Sequence, residues 1–324
     1  MIPSQQGGGT MKLVDAVEEF IVAKQADGRA PRTIEDYRRV LLPFASWCKE
    51  RDIADIASLN RNHIRNYVAH LRQKGWAEGT VAIHVRNLRT FLRWCHLEGL
   101  HPENLALAVK APKTRPREEA LPTPEELALF FHACKGEDFL SRRDLALALT
   151  LLDTGLRVGE LVLLTVDAVN LDGRGGHVKV YAPKTRSWRY VFLGSVATAA
   201  LQAYLAERMK KRRPCWGEAL FVGLRGPLTE QGVYKALRRR AEEAGLPPEK
   251  FHPHIWRKMF ATFWLEGGGD TVRLKRIGGW KTEAMLEIYV VTAERRDLAE
   301  AHRRFGPVDR LAEALGLELD RDGD

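Results

Sequence analysis

The sequence predicts a mainly α protein of two domains: a small N-terminal bundle of four helices, and a larger α-rich domain built around one small antiparallel β-sheet. Three observations carry this. Apolar residues recur at helical spacing through residues 11–100, a proline-rich basic stretch without apolar period occupies 109–124, and β-rich runs are confined to one pair at 177–181 and 188–193. The 324 residues suffice for about two domains, at the usual ~100–200 residues each.

Residues 1–10 end in Gly7-Gly8-Gly9-Thr10, hold no apolar core of a leader peptide, and are expected to be flexible. Leu13, Val17, Phe20 and Ile21 then mark a first helix. After the break at Gly28–Pro31, Thr33 can cap a second helix that carries Tyr37, Val40, Leu41, Phe44 and Trp47. A third begins at Leu59-Asn60, and Gly79-Thr80 opens a fourth that runs through Leu88, Phe91, Leu92 and Cys95 to a stop at Gly99. These make a small bundle over residues 11–108. Prolines stiffen the stretch that follows and remove backbone donors, so 109–122 is expected to be an extended linker.

The second domain is expected over 123–305. Pro124 opens a helix, Asp144–Leu152 forms another, and Thr154-Gly155-Leu156 turns the chain so that Arg157 starts the next. His177–Tyr181 and Trp188–Leu193 read as a hairpin whose tight polar turn contains Lys184. Helices resume at Ala197–Lys211, Gln231–Ala244, Trp256–Glu266 and Thr271–Ile277. In the tail, 306–324, Gly306-Pro307 breaks the chain before Val308, Leu311, Ala312 and Leu315 fall at i, i+3, i+4 and i+7. So short a helix cannot hold alone and must dock, on its own domain or on another protomer.

A net charge of +9 and a pI near 9.4 predict attraction to a polyanion and binding that weakens with salt. Cys48, Cys95, Cys134 and Cys215 lack both paired metal-ligand spacing and the density of a disulfide scaffold. No stretch approaches the ~18 apolar residues of a membrane span, so the chain is expected in the cytoplasm with no membrane partner. It has no carboxylate cluster for magnesium, no His-Glu-x-x-His run and no phosphate-binding glycine loop, and neither metal nor cofactor is expected.

The second half instead sets out Arg157, Lys184, His254 with Arg257, Trp280 and Tyr289 in order. Two planar, permanently charged guanidinium groups suit a phosphate whose non-bridging oxygens gain charge during attack. Lys184 and His254 can move protons near neutral pH, and the Tyr289 phenol can attack once a base takes its proton. This is equipment for breaking a phosphodiester without a metal, which makes DNA the first substrate to consider. Glu160, three residues after Arg157, can orient an arginine or histidine there, or is an exposed helix glutamate. His252 is a weaker candidate than His254, and Lys179 and Arg186 neighbour Lys184.

Five segments in this order resemble the tyrosine recombinase (phage integrase) family and its Xer-like members: Thr154-Gly-Leu-Arg157-Val-Gly-Glu160-Leu, Ala182-Pro-Lys184-Thr, His254-Ile-Trp-Arg257-Lys-Met-Phe-Ala-Thr, Ile277-Gly-Gly-Trp280 and Ile288-Tyr289. The resemblance implies a site-specific recombinase that closes as a two-domain clamp on double-stranded DNA and cuts through a 3′-phosphotyrosyl link, leaving a free 5′-hydroxyl. It implies Tyr289 as nucleophile, Arg157 and Arg257 as phosphate clamps, His254 as base and Lys184 as the acid for the leaving oxygen. Recombination of two duplexes implies a homo-tetramer, with the tail docked on a neighbour. It also turns Arg86, Arg89 and Arg93, which share one helical face, and the linker's Lys113 and Arg115, into candidate DNA contacts. Trp280 departs from the commoner histidine, and Lys258 stands where many relatives have a second histidine. A relaxing enzyme like type IB topoisomerases and a catalytically silent DNA-binding protein of the same fold are the alternatives.

Overall fold

The computed structural model describes residues 11–112, 119–171, 176–183, 186–286 and 289. The chain divides into two compact units, Met1–Glu118 and Glu119–Asp324.

The first unit packs α1 (Leu13–Ala26), α2 (Pro31–Lys49), α3 (Arg61–Gln73) and α4 (Glu78–Leu97). Asn60 starts α3 by accepting from the amides of Asn62 and His63. Two starts differ from expectation. Thr33 lies inside the first turn of α2, because Pro31 with its preset φ already occupies the first helical position. Glu78, rather than Gly79, opens α4 and binds Arg72 at the end of α3. Gly99 ends the helical run with φ near +73°.

Phe20, Phe44, Tyr67 and Phe91 fill the core, and Phe20 meets Tyr37, Phe91 and Trp94 edge-on with centroids 5.0–5.5 Å apart. A short 3-10 turn at Leu105–Ala108, too brief to show a period, packs on α3 and α4. Val109 and Ala111 still touch this core.

The second unit contains α5 (Pro124–Ala133), α6 (Phe139–Thr154), α7 (Val158–Leu161), α8 (Ser195–Lys211), α9 (Glu230–Glu243), α10 (Pro253–Glu266) and α11 (Thr271–Gly278). Thr123 and Glu126 form a reciprocal capping box on α5. Helix α6 starts well before the expected Asp144, since Asp138 caps it. Asp144 lies mid-helix, its buried carboxylate held by Arg143, Arg239 and Arg240.

Strands β1 (Val169–Asn170), β2 (Gly176–Ala182) and β3 (Ser187–Leu193) form an antiparallel sheet in that order. Val178 opposes Val191, and Val180 opposes Arg189. Val178, Val180, Val191 and Leu193 face the core, while Trp188, Tyr190 and Phe192 are exposed. The two residues of β1 give no alternation to read. Cys48, Cys95 and Cys134 are buried, Cys215 is exposed, and none is bridged. Among the described residues no helix is long and apolar enough to cross a membrane.

Candidate active site

Gly155 ends α6 in the left-handed region, φ near +60°, and a Cβ there would stand 2.2 Å from the Phe260 ring of α10. The turn can therefore press against α10 and place Arg157 as the residue before α7. Glu160, one turn on, accepts from the Arg157 amide at 2.9 Å and from its Nη1 at 3.1 Å. Arg157 remains 36% exposed while Glu160 is only 4% exposed. The reading of Glu160 as an orienting residue fits this geometry; the exposed-glutamate alternative does not.

Arg257 is buried on α10, donating from Nη1 to the Gly155 carbonyl and from Nη2 to Gly278 O at 2.7 Å. Arg157 Nη2 donates to Gly279 O at 3.3 Å. Arg189 takes the preceding carbonyl, Nε to Ile277 O at 2.9 Å, and also clasps Glu160 with Nη1 at 3.0 Å and Nη2 at 2.8 Å. Three arginines from three parts of the chain thus bind three successive carbonyls at the end of α11. Sequence reasoning missed Arg189. The available signal was a charged residue at an inward register of β3, where alternation calls for an apolar one.

The glycines that offer those carbonyls also set Trp280. Gly279 caps α11 with φ near +66°, and a Cβ on Gly278 would lie 1.7 Å from the Trp280 ring, which folds back over it. The Arg257 guanidinium stands 3.8 Å from the centroid of the Trp280 ring. Tyr289 meets Trp280 edge-on, centroids 5.9 Å apart, in a local core with Phe260, Leu274 and Leu286.

Burial pushes the Tyr289 phenol above its ordinary pKa, against the pull of Arg257 and Arg157. Burial, with Arg157 beside it, brings Arg257 down to about 9, still charged at neutral pH. Burial alone would raise Glu160, but Arg189 and Arg157 outweigh it and keep it a carboxylate. His254 stands exposed one turn before Arg257 on α10. Desolvation on its inner side, then the charges of Lys258, His252 and Arg257, hold its imidazole below the usual value, opposed by Glu119. Glu119 bridges His252 Nε2 at 2.9 Å and Lys258 Nζ at 2.6 Å. His252, the weaker candidate, is thus tied to Glu119.

The structure gathers Arg157, Glu160, Arg257, Trp280 and Tyr289, with His254 one turn from Arg257. Lys184 lies outside the described residues, as do Lys113 and Arg115 and the tail 306–324. On α4, Arg86 and Arg93 are exposed, whereas the half-buried Arg89 donates to Ala106 O at 3.0 Å and ties α4 to the 3-10 turn. Among the described residues no group of three or more His, Cys, Asp or Glu is placed to hold a metal ion.

Residues 122–296 match the model of the phage integrase family, and residues 18–99 match that of the phage integrase N-terminal SAM-like domain. Tyrosine recombinase XerC of Pelotomaculum thermopropionicum is 33% identical over 90% of this chain and 97% of its own length. Tyrosine recombinase XerD of Halalkalibacterium halodurans is 30% identical over 90% and 97%. Among solved structures, XerH site-specific recombinase in a post-cleavage complex with palindromic difH substrate has a TM-score of 0.69 at 20% identity, covering 88% of this chain and 83% of that one. A lambda integrase tetramer bound to a Holliday junction has a TM-score of 0.66 at 18% identity, covering 87% and 78%.

Proposed function

The chain belongs to the phage integrase family and is a site-specific tyrosine recombinase, and on that premise we propose how its residues cut and rejoin DNA. The Tyr289 oxygen attacks the scissile phosphorus. A tyrosyl O–P bond forms, the P–O5′ bond breaks, and the products are a 3′-phosphotyrosyl enzyme and a 5′-hydroxyl strand. Arg157 and Arg257 bind the non-bridging oxygens, where charge grows as the phosphorus is attacked. His254, kept neutral by its depressed pKa, accepts the phenol proton. Lys184 protonates the leaving 5′ oxygen. Trp280 can donate its indole N–H to the phosphate but cannot transfer a proton, so the proton chemistry rests on His254 and Lys184.

The observation that carries this reading is the convergence of both arginines on the Gly278-Gly279 turn, with Trp280 between Arg257 and Tyr289. The linkage conserves the energy of the phosphodiester, so rejoining needs no ATP. Residues 123–305 form the catalytic domain. Residues 11–108 are the DNA-binding domain joined by the linker 109–122, and the two close on the duplex in the cytoplasm, at the nucleoid.

Two duplexes and four cleavages call for four protomers, and the tail 306–324 joins them by docking on a neighbour. The catalytic unit offers an apolar groove lined by Leu149, Leu152, Phe192, Val196, Phe263 and Trp264, a match for the stripe Val308, Leu311, Ala312 and Leu315. Deleting 306–324 is expected to leave single-site DNA binding intact and abolish tetramers on paired sites; tetramers at unchanged concentration overturn the exchange. The catalytic reading is tested by incubating the protein with a nicked duplex, which traps the cleaved state. A covalent protein–DNA band on a denaturing gel supports it, and its absence argues for a silent DNA-binding protein.

A further inference from the structure

We propose that Arg189 is a positioning residue of the strand-cleavage reaction: it is the counter-ion that keeps Glu160 from neutralising Arg157, and so leaves Arg157 free to bind the phosphate. Glu160 is almost fully enclosed, and both of its oxygens are engaged by Arg189 as well as by Arg157. The two arginines differ in what else they can meet. Arg157 is 36% exposed, whereas Arg189 is 13% exposed and directs its third donor to the Ile277 carbonyl.

The charges decide the consequence. Arg157, Arg189 and Arg257 face one carboxylate, Glu160, so with Arg189 matched to Glu160 two positive charges remain for the phosphate. Without Arg189, the buried Glu160 retains only Arg157, and an ion pair in so dry a place competes with phosphate for the same guanidinium. Arg189 also fastens β3 to the carbonyl before Gly278. One residue thereby ties the strand that follows the Lys184 turn to the Trp280 turn.

The inference rests on the recombinase reading, and its test separates the two. Single-turnover cleavage of nicked DNA at saturating concentration, and the DNA dissociation constant, are measured for wild type, R189A, R189K and the double variant R189A/E160Q. Wild type must form the covalent adduct; if it does not, the recombinase reading itself fails. Given that adduct, R189A is expected to cleave about 10²-fold more slowly, the scale of one lost electrostatic contact at a reacting centre. Its dissociation constant should stay within about threefold, because a group acting in the chemical step leaves binding alone. R189K, which keeps the charge and loses the fork, is expected to fall between the two.

The deciding arm is the double variant. Removing the charge of Glu160 releases Arg157, so R189A/E160Q is expected to cleave at least about tenfold faster than R189A, a coupling of the size seen between contacting charges. A double variant no faster than R189A, or an R189A that cleaves like wild type, overturns the proposal. So does an R189A that loses DNA binding and cleavage together, which assigns Arg189 a purely structural role.

Discussion

The Trp280 indole cannot pass a proton, and its contacts show what it does instead. The ring lies 3.8 Å from the Arg257 guanidinium and edge-on to Tyr289, so it holds that guanidinium and that phenol in one frame. Trp280→Phe keeps most of that ring surface and removes only the N–H donor. It is expected to slow cleavage by about 10²-fold with DNA affinity unchanged, the usual loss for one donor to a developing oxyanion. A wild-type rate in single turnover would assign the ring to packing alone.

His254 supplies a second residue-scale test through pH. Its pKa is held below the ordinary ~6.5. A base must be neutral to accept a proton, so the acid limb of kcat/KM for cleavage is expected below that value. Lys258→Ala removes the positive charge that lowers the His254 pKa most and should move the limb to higher pH. A limb that stays put or moves down contradicts the assignment. Residue type and spacing single out Arg157, Arg257 and Tyr289 in the sequence, and the structure gathers them around Trp280 and the turn before it. For Arg189 the strand alternation marks only a charge at an inward register; that Glu160 is its partner depends on β3 lying beside α7, which no local pattern carries.

At the scale of elements, the Gly278-Gly279 turn governs the site, for its three carbonyls or neighbours bind all three arginines while Trp280 folds back over Gly278. Gly278→Ala puts a methyl group into that ring and must displace it. Cleavage is expected to fall at least about 10²-fold, the price of an angstrom-scale misplacement in a catalytic constellation, while DNA binding through the first unit persists. Full cleavage by this variant would show that Trp280 need not sit where it does.

Helices with clear apolar periods were readable, and the Asn60 cap on α3 and the Thr123–Glu126 box on α5 fix starts close to the expected ones. Elements too short for a period, β1 and the turn at 105–108, were not. Helix α6 starts earlier than expected because Asp138 caps it, and Asp144, buried among arginines, is a mid-helix anchor.

For the whole molecule, an excess of nine positive charges favours binding to a polyanion. Arg86 and Arg93 on α4 are exposed, and changing both to Ala is expected to flatten the salt dependence of DNA binding by about one unit of slope per lost phosphate contact. Arg89→Ala should instead lower the stability of the bundle, since its guanidinium holds the Ala106 carbonyl. An unchanged salt slope in the double variant would make that face a merely solvated one.

Covalent joining of the Tyr289 oxygen to DNA is open to test by a one-atom change. Tyr289→Phe removes the hydroxyl and keeps the ring that packs against Trp280. Wild type and variant are incubated at saturating concentration with a nicked duplex labelled on the strand that retains the scissile phosphate, then resolved on a denaturing gel. A labelled protein band is expected for wild type and none for Tyr289→Phe, with equal DNA affinity for both. A band of undiminished intensity in the variant would contradict it, because the attacking group would then lie elsewhere in the chain.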